Sequence, residues 1–402
     1  MAGGQLQLVA KGGQDSYLLG NPQITFFKVV YRRHTNFAKE SVRQFFTTRP
    51  NYGRILNCTL SRDGDLVQDI YLEINLQDLS GSNKYIYGIG NALIKKVELE
   101  IGGQLIDRHY SEWLNIWEEL SCPPGQRLGL DEMVGNNPNN LTGGRLYIPL
   151  VFWFNKRPGL ALPLAALHKH EVRLHFEIRE NTNLVYTGSA YTTAPEITND
   201  DFIKVFADYI YLDGEERQRF TQLPCEYLIE QVQFNGDEHY PGNTNSNFAG
   251  TKMSKTSLNF INPVKELIWV FIKDSVSNDA NRFFNFSNAA VNVFNTGKLV
   301  LDGIDYQTER SANYFLLEQN RQHHTNIPRF SSSFNQFIYT YSFALKPEEH
   351  QPSGFCNFSR LNESSLVINY PYLTADWTLK VYAVSYNILR IVNGMGGLVF
   401  SK

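Results

Sequence analysis

Four cysteines in 402 residues are too few and too scattered for a disulfide framework. Cys58, Cys122, Cys225 and Cys356 form no CxxC pair, so no zinc knuckle is indicated either. Buried thiols in a reducing compartment are the simpler reading. No apolar run reaches the roughly 18 residues that a membrane helix needs; a typical apolar stretch, Ile148 to Phe154, is strand-sized and broken by Pro149. Met1-Ala2-Gly3-Gly4-Gln5 has neither the basic leader nor the apolar core expected of a signal peptide. An excess of one charge is missing too. Lys and Arg total 37 against 40 Asp and Glu, a formal charge of -3, which argues against a nucleic-acid coat or a basic membrane surface.

Signatures of catalysis are also absent: there is no GxxxxGK[ST], HExxH or GxSxG. His168 and His170 would share one face of a strand, but no third ligand lies at a diagnostic spacing. His323-His324 falls in a polar stretch. Glu348, Glu349 and His350 become an acid–base group only if burial or like charge shifts them; a solvated or interface loop is the simpler reading. No cofactor is expected.

What is present is aromatic: 27 Phe and 22 Tyr stand beside only 19% charged residues. Interface cores favour such a composition. A loose internal duplication accompanies it. Lys95-Lys96-Val97-Glu98-Leu99-Glu100-Ile101-Gly102-Gly103-Gln104-Leu105-Ile106 and Lys298-Leu299-Val300-Leu301-Asp302-Gly303-Ile304-Asp305-Tyr306 each read strand, glycine turn, strand. Farther on, Lys204-Val205-Phe206-Ala207-Asp208-Tyr209 has a near copy in Lys380-Val381-Tyr382-Ala383-Val384-Ser385-Tyr386. The two copied pairs occur in the same order.

The alternation predicts many short strands, few helices and an all-β chain of two sandwiches. Residues 1 to 25 read as an extended arm, although the run Ile24 to Tyr31 itself looks like a strand. In the first half, strands are expected at 41–46, 53–60, 70–76, 146–154, 170–178 and 202–212, with a short helix at 110–120. Residues 125–145 and 187–199 are expected as loops. The charged run Asp213 to Arg219 is the candidate linker, possible as a short helix; this divides the chain into 26–215, a linker at 216–221, and 222–402. In the second half, strands are expected at 226–234, 256–261, 266–273, 297–302, 337–345, 366–369 and 377–389. Long polar loops are expected at 237–254 and 275–295. The glycine-rich stretch Gly394-Met395-Gly396-Gly397 reads as flexible termination.

With these segments in hand, the chain closely resembles the major capsid proteins of nucleocytoplasmic large DNA viruses. Carrying the resemblance are Gln7 to Asp15, Gly20 to Lys28 and Val30 to Phe37, then Gly64-Asp65-Leu66-Val67, Asp213 with Glu216, Arg217 and Phe220, and Tyr227 to Gln231. The most specific segment is Tyr341 to Gly354, leading into Cys356-Asn357-Phe358-Ser359-Arg360, and the ending from Tyr386 is also similar. The resemblance implies two tandem eight-stranded jelly rolls (a double jelly roll) with short inserted helices. It further implies a homotrimer that forms a pseudo-hexagonal capsomer in a large icosahedral shell, with no enzymatic activity.

The same resemblance puts the arm, with Asn21, Pro22, Arg32 and Arg33, on the inner face near minor capsid proteins and an internal membrane. The loops 125–145, 237–254 and 275–295 would build the outer surface. Pro347, Glu348, Glu349, Pro352, Gly354, Asn357 and Arg360 are expected to form a structural motif, Arg360 anchoring its turn on a carboxylate or carbonyl. Asn57, Asn140, Asn285, Asn357 and Asn362 open glycosylation triplets that are mostly accidental by composition; relatives that carry sugars keep surface glycans open, with Asn140 and Asn285 as candidates. Two other classes remain beside the shell reading: a carbohydrate- or receptor-binding jelly roll, and a cupin-like enzyme, for which His109, His168, His170 and His239 are too widely spaced.

Overall fold

The computed structural model describes residues 3–136, 142–188, 190–197, 201–242, 250–274, 283–287, 291–329 and 336–400. Two units are distinguished, Met1–Asn36 and Phe37–Lys402. The first unit contains a short helix α1 (Gly3–Val9), one further helical turn at Ser16–Leu19 and extended chain. Ile24 to Tyr31, expected as a strand, is not one: Ile24, Phe26, Phe27, Val29, Val30 and Tyr31 are exposed. An alternating apolar run becomes a strand only where a neighbour completes its hydrogen bonds, and the first paired strand begins at Phe37.

Among its described residues the second unit holds sixteen main strands. In the first half they are β1 (Phe37–Gln44), β2 (Ile55–Thr59), β3 (Leu66–Leu76), β4 (Ile94–Ile101), β5 (Gln104–Tyr110), β6 (Gly144–Pro149), β7 (Val172–Ile178) and β8 (Ile203–Leu212). They form two four-stranded antiparallel sheets, ordered β1-β8-β3-β6 and β2-β7-β4-β5. In the second half come β9 (Cys225–Tyr240), β10 (Thr251–Ser257), β11 (Pro263–Lys273), β12 (Thr296–Leu301), β13 (Ile304–Asp305), β14 (Tyr339–Ser342), β15 (Ser364–Pro371) and β16 (Trp377–Val392). Their orders are β9-β16-β11-β14 and β10-β15-β12-β13. Adding eight to every strand of the first roll reproduces the second. Each half is a jelly roll, so the fold is a double jelly roll.

The copied sequence segments fall on equivalent strands: the hairpins are β4–β5 and β12–β13, and the later copies lie in β8 and β16. Alternation carries the cores, as in β7, where Val172, Leu174, Phe176 and Ile178 point inward between more exposed neighbours. Leucine, isoleucine and aromatic side chains of both rolls join in one continuous buried cluster.

Some elements differ from expectation. Residues 127–134, read as loop, form the helix α3 (Arg127–Val134), behind the expected helix α2 (Ser111–Ser121). Residues 256–261, read as strand, give way to β10 at 251–257, because Leu258 to Ile261 bond instead to Ser364 and to amide side chains of β9. The ending is ordered: β17 (Met395–Leu398) pairs with β16. Between the rolls, α4 (Gly214–Gln222) starts at Asp213, whose Oδ1 accepts from Gly214 N at 2.7 Å. Arg217 reaches the buried Asp65 at 2.9 Å, and Phe220 packs on Leu66 and Ile210. The separated family-like segments around 64–67 and 213–220 therefore meet in space.

Candidate structural site at the seam between the rolls

Two edge strands face each other across the seam, β5 of the first roll and β9 of the second. Side chains, not backbone, join them. Gln231 Nε2 donates to Ile106 O, and Val232 N donates to Asp107 Oδ1 at 3.0 Å. Aromatic rings fill the gap: Tyr110 lies 5.0 Å from Phe234, and Trp113 of α2 lies 5.7 Å from the buried Tyr382. Farther along β9, its side-chain amides bond the backbone of residues 257–261. Gln233 both donates to Ile261 O (2.7 Å) and accepts from Ile261 N (3.0 Å), as a neighbouring strand would. Asn235 does the same for Ser257 O and Asn259 N.

Charge pins the seam at several points. Lys380 of β16 pairs with Glu112 of α2 at 3.3 Å. Arg329 pairs with Glu119 at 2.8 Å and with Asp131 of α3 at 2.8 Å. At the chain end Lys169 N donates to Gly394 O (3.0 Å), and His170 Nδ1 meets Gly396 at 3.1 Å to its carbonyl oxygen. Gly394 has φ +85°, and a Cβ there would stand 2.4 Å from His168 Nε2, so only glycine suits this contact. His168 and His170 thus serve a packing contact with β17. Among the described residues no group of His, Cys, Asp or Glu could hold a metal ion.

The family-like segment Tyr341 to Arg360 lies over a buried charge cluster. β11 carries Lys265 and Glu266 side by side, both wholly buried. Its register against β16 shifts between Val264 and Glu266; such a bulge lets consecutive side chains escape strict alternation. Lys265 Nζ reaches Glu230 at 2.5 Å and also donates to Pro347 O, while Lys156 of the first roll reaches Glu230 at 2.6 Å. Burial opposes charge on Glu230, yet the two ammonium groups outweigh it and hold the carboxyl down at about 2. Burial pulls the Lys265 amine below its ordinary value, against the attraction of Glu230. The ionised Glu230 governs here, since both Lys156 and Lys265 face it at hydrogen-bond distance.

Beside this, His324 lies 3.3 Å from Glu266 and 3.0 Å from Glu348. Burial disfavours its cation, but the two carboxylates outweigh that and raise it to about 9. Glu348 also accepts from Thr325 N at 3.0 Å; burial would raise its carboxyl, but these bonds leave it lowered.

Pro347 and Glu348 cap the cluster, whereas Glu349 sits at the surface with Lys346, 3.0 Å away. His350 faces the Lys156–Glu230 side, where the cavity is only about 10 Å³. Glu348, Glu349 and His350 therefore do not converge on a substrate space. Pro352 is exposed, and Gly354, at φ +138°, would put a Cβ 2.5 Å from Phe343 O. Arg360 is exposed and makes no hydrogen bond or ion pair among the described residues. Asn357 holds that turn, its Oδ1 accepting from Ser359 N at 3.1 Å. Lys265 and Glu230 were not singled out by sequence reading, and His324, read with His323 as part of a polar stretch, is buried instead; the signal available was a Lys-Glu pair inside the apolar run Val264 to Ile272.

Elsewhere, Asn21 has φ +50°, and Pro22, Arg32 and Arg33 are exposed. Asn140 lies outside the described residues. Asn285 is half-buried, with Oδ1 3.3 Å from Ser287 N. Asn57 is tied to His175 at 2.7 Å in the β2–β7 sheet, and Asn362 is exposed. Of the expected loop 237–254, residues 237–240 belong to β9 and 251–254 to β10, where pairing with β16 and β15 extends both strands; 243–249, and 275–282 and 288–290 of the expected loop 275–295, lie outside the described residues.

Two family models match end to end. Residues 25–213 match the major capsid protein N-terminus, and residues 216–397 match the large eukaryotic DNA virus major capsid protein. Among curated relatives, the major capsid protein of Pyramimonas orientalis virus is 43% identical over 427 residues, covering 100% of both chains. That of Paramecium bursaria Chlorella virus 1 is 39% identical over 453 residues, again covering 100% of both. Among solved structures, PBCV-1 VP54 is similar with a TM-score of 0.82 and 35% identity, covering 94% of this chain and all of that one.

Proposed function

Because the chain belongs to the major capsid protein family of large eukaryotic DNA viruses, we propose that three copies associate into a pseudo-hexagonal capsomer that tiles an icosahedral shell. The role is structural and its setting is the virion. The repetition of one strand order in two consecutive rolls carries the trimeric reading: three chains of two alike rolls present six alike units around a threefold axis. A near-sixfold outline packs edge to edge in a flat array.

On this reading the two rolls are residues 26–215 and 222–402, joined by a linker at 216–221. The arm, with Asn21, Pro22, Arg32 and Arg33, faces inward toward minor capsid proteins and a membrane layer. Its exposed apolar side chains, including Phe26, Phe27 and Val29, support a role that is completed by contact with other molecules. Synthesis takes place in the host cytoplasm, and no direct nucleic-acid contact is expected. Surface sugars, with Asn140 and Asn285 as sites, belong to the same proposal. The segment from Pro347 through Glu348, Glu349, Pro352, Gly354 and Asn357 to Arg360 locks the second roll and its seam.

Light scattering on the purified chain tests the assembly. The expected mass is three times 46.1 kDa, with hexagonal outlines by electron microscopy; a stable monomer, or particles without threefold organisation, overturns it.

A further inference from the structure

The seam inside the chain has a counterpart that the same chain leaves uncovered. In the seam, β5 covers β9. Shifting both partners by one roll pairs the β12–β13 hairpin with β1; β13 is exposed, and so is most of β1. Tyr306 follows β13 where Ile106 lies in β5; Ile106 is 3% exposed and Tyr306 50%. On the other side, β8 residues 206 and 207 correspond to β16 residues 382 and 383. Their partners in β1 are Arg43 and Val42, and in β9 Phe234 and Gln233. Ser41 then stands where Val232 stands, and Glu40 where Gln231 stands. Glu230 is buried and residues 231–234 half-buried, while Lys39, Glu40, Ser41 and Arg43 are all exposed.

β1 and β13 are edge strands, as β9 and β5 are, so the geometry of contact can repeat. Beside β1, the half-buried ring of Phe206 holds the place of Tyr382 and stacks on Tyr71 at 5.3 Å, while exposed Arg43 holds the place of Phe234, whose stack on Tyr382 the first roll covers. The hairpin side is aromatic as well, with Tyr306 5.9 Å from Tyr341 and 5.7 Å from Phe343.

We propose that the β12–β13 hairpin of one copy covers β1 of the next, repeating between chains the seam that joins the rolls within each. This deepens the trimeric reading and rests on it: one chain carries both halves of a head-to-tail contact, and such a contact forms a closed ring when its rotation allows.

The test uses the full chain with Ser41→Arg, Tyr306→Arg, and the double cysteine variant Ser41→Cys/Tyr306→Cys. Native mass spectrometry should find each single-charge variant monomeric, with melting unchanged by circular dichroism. An equimolar mixture should stop at a one-to-one dimer, because each variant keeps one intact half. The double cysteine variant should give oxidised species ending at three chains. If the unsubstituted chain is a trimer and both single variants remain trimers without cross-links, this surface is wrong while the trimer stands. If the unsubstituted chain is itself monomeric, the trimeric reading fails and takes this contact with it.

Discussion

The strands β3 and β11 hold the same place in the two rolls, yet they live in different surroundings. β3 buries one face and leaves alternate residues half-exposed, whereas β11 is buried from Val264 through Phe271. Asp69, just before Ile70, pairs with Lys39 at 3.0 Å, each side chain 39% exposed. Glu266, just before Leu267, pairs with His324 with both side chains at 0%. Topology was duplicated; environment was not. The second roll is covered by the first, by the loop 345–354 and by the turn Tyr314–Glu318 with the helix α5 (Gln319–His323), so its ion pairs carry a desolvation cost that geometry must offset.

Removing one partner from each place should expose this difference. The largest effect is expected for Glu266→Gln or Lys265→Met, each of which leaves a buried charge short of its partner; a loss of roughly 3–5 kcal/mol is expected in chemical denaturation. Replacing Lys265 and Glu230 together by Met and Gln should recover part of that loss. A recovery of nothing would mean that the pair acts through shape rather than charge.

The pH response should differ next. His324 is raised from 6.5 to about 9, so its contribution is full below 6.5 and disappears as pH rises through 9; the difference is worth up to about 3 kcal/mol. Glu230 is lowered from 4.5 to about 2, so its contribution is full above 4.5 and disappears as pH falls through 2. Melting temperature should therefore be highest between these limits, and His324→Gln should flatten only the alkaline side. A chain whose alkaline loss survives that substitution would place the titrating group elsewhere.

Gly354→Ala should cost about 1–3 kcal/mol through its positive φ and the Phe343 carbonyl, seen as a lowered melting temperature without change in the first roll's protease resistance. Smallest should be Asp69→Asn on the exposed counterpart pair, less than about 1 kcal/mol and vanishing in high salt. A loss there equal to that of Glu266→Gln would erase the contrast between the rolls.

The strand skeleton could be read in the sequence because half-buried strands write their burial as alternation, as in Val172 to Ile178. The hairpin copies were legible for the same reason. Ile24 to Tyr31 misled because alternation states what a segment could do, while pairing depends on a partner elsewhere. Arg127–Val134 escaped because Gly129 and an exposed Leu128 blur the helical stripe. The charge cluster under Pro347 was hidden for a deeper reason: Lys265 and Glu266 look like solvent-facing residues until a bulge turns both inward. Arg360, chosen for its chemistry, yielded to the neighbouring Asn357, whose short side chain reaches its own turn.

The amides along β9 have one further consequence. Gln231, Gln233 and Asn235 occupy positions where an extended chain from another molecule would otherwise add. That edge is thereby closed to runaway cross-β growth, which leaves shape and side chains, rather than backbone, to decide what meets it.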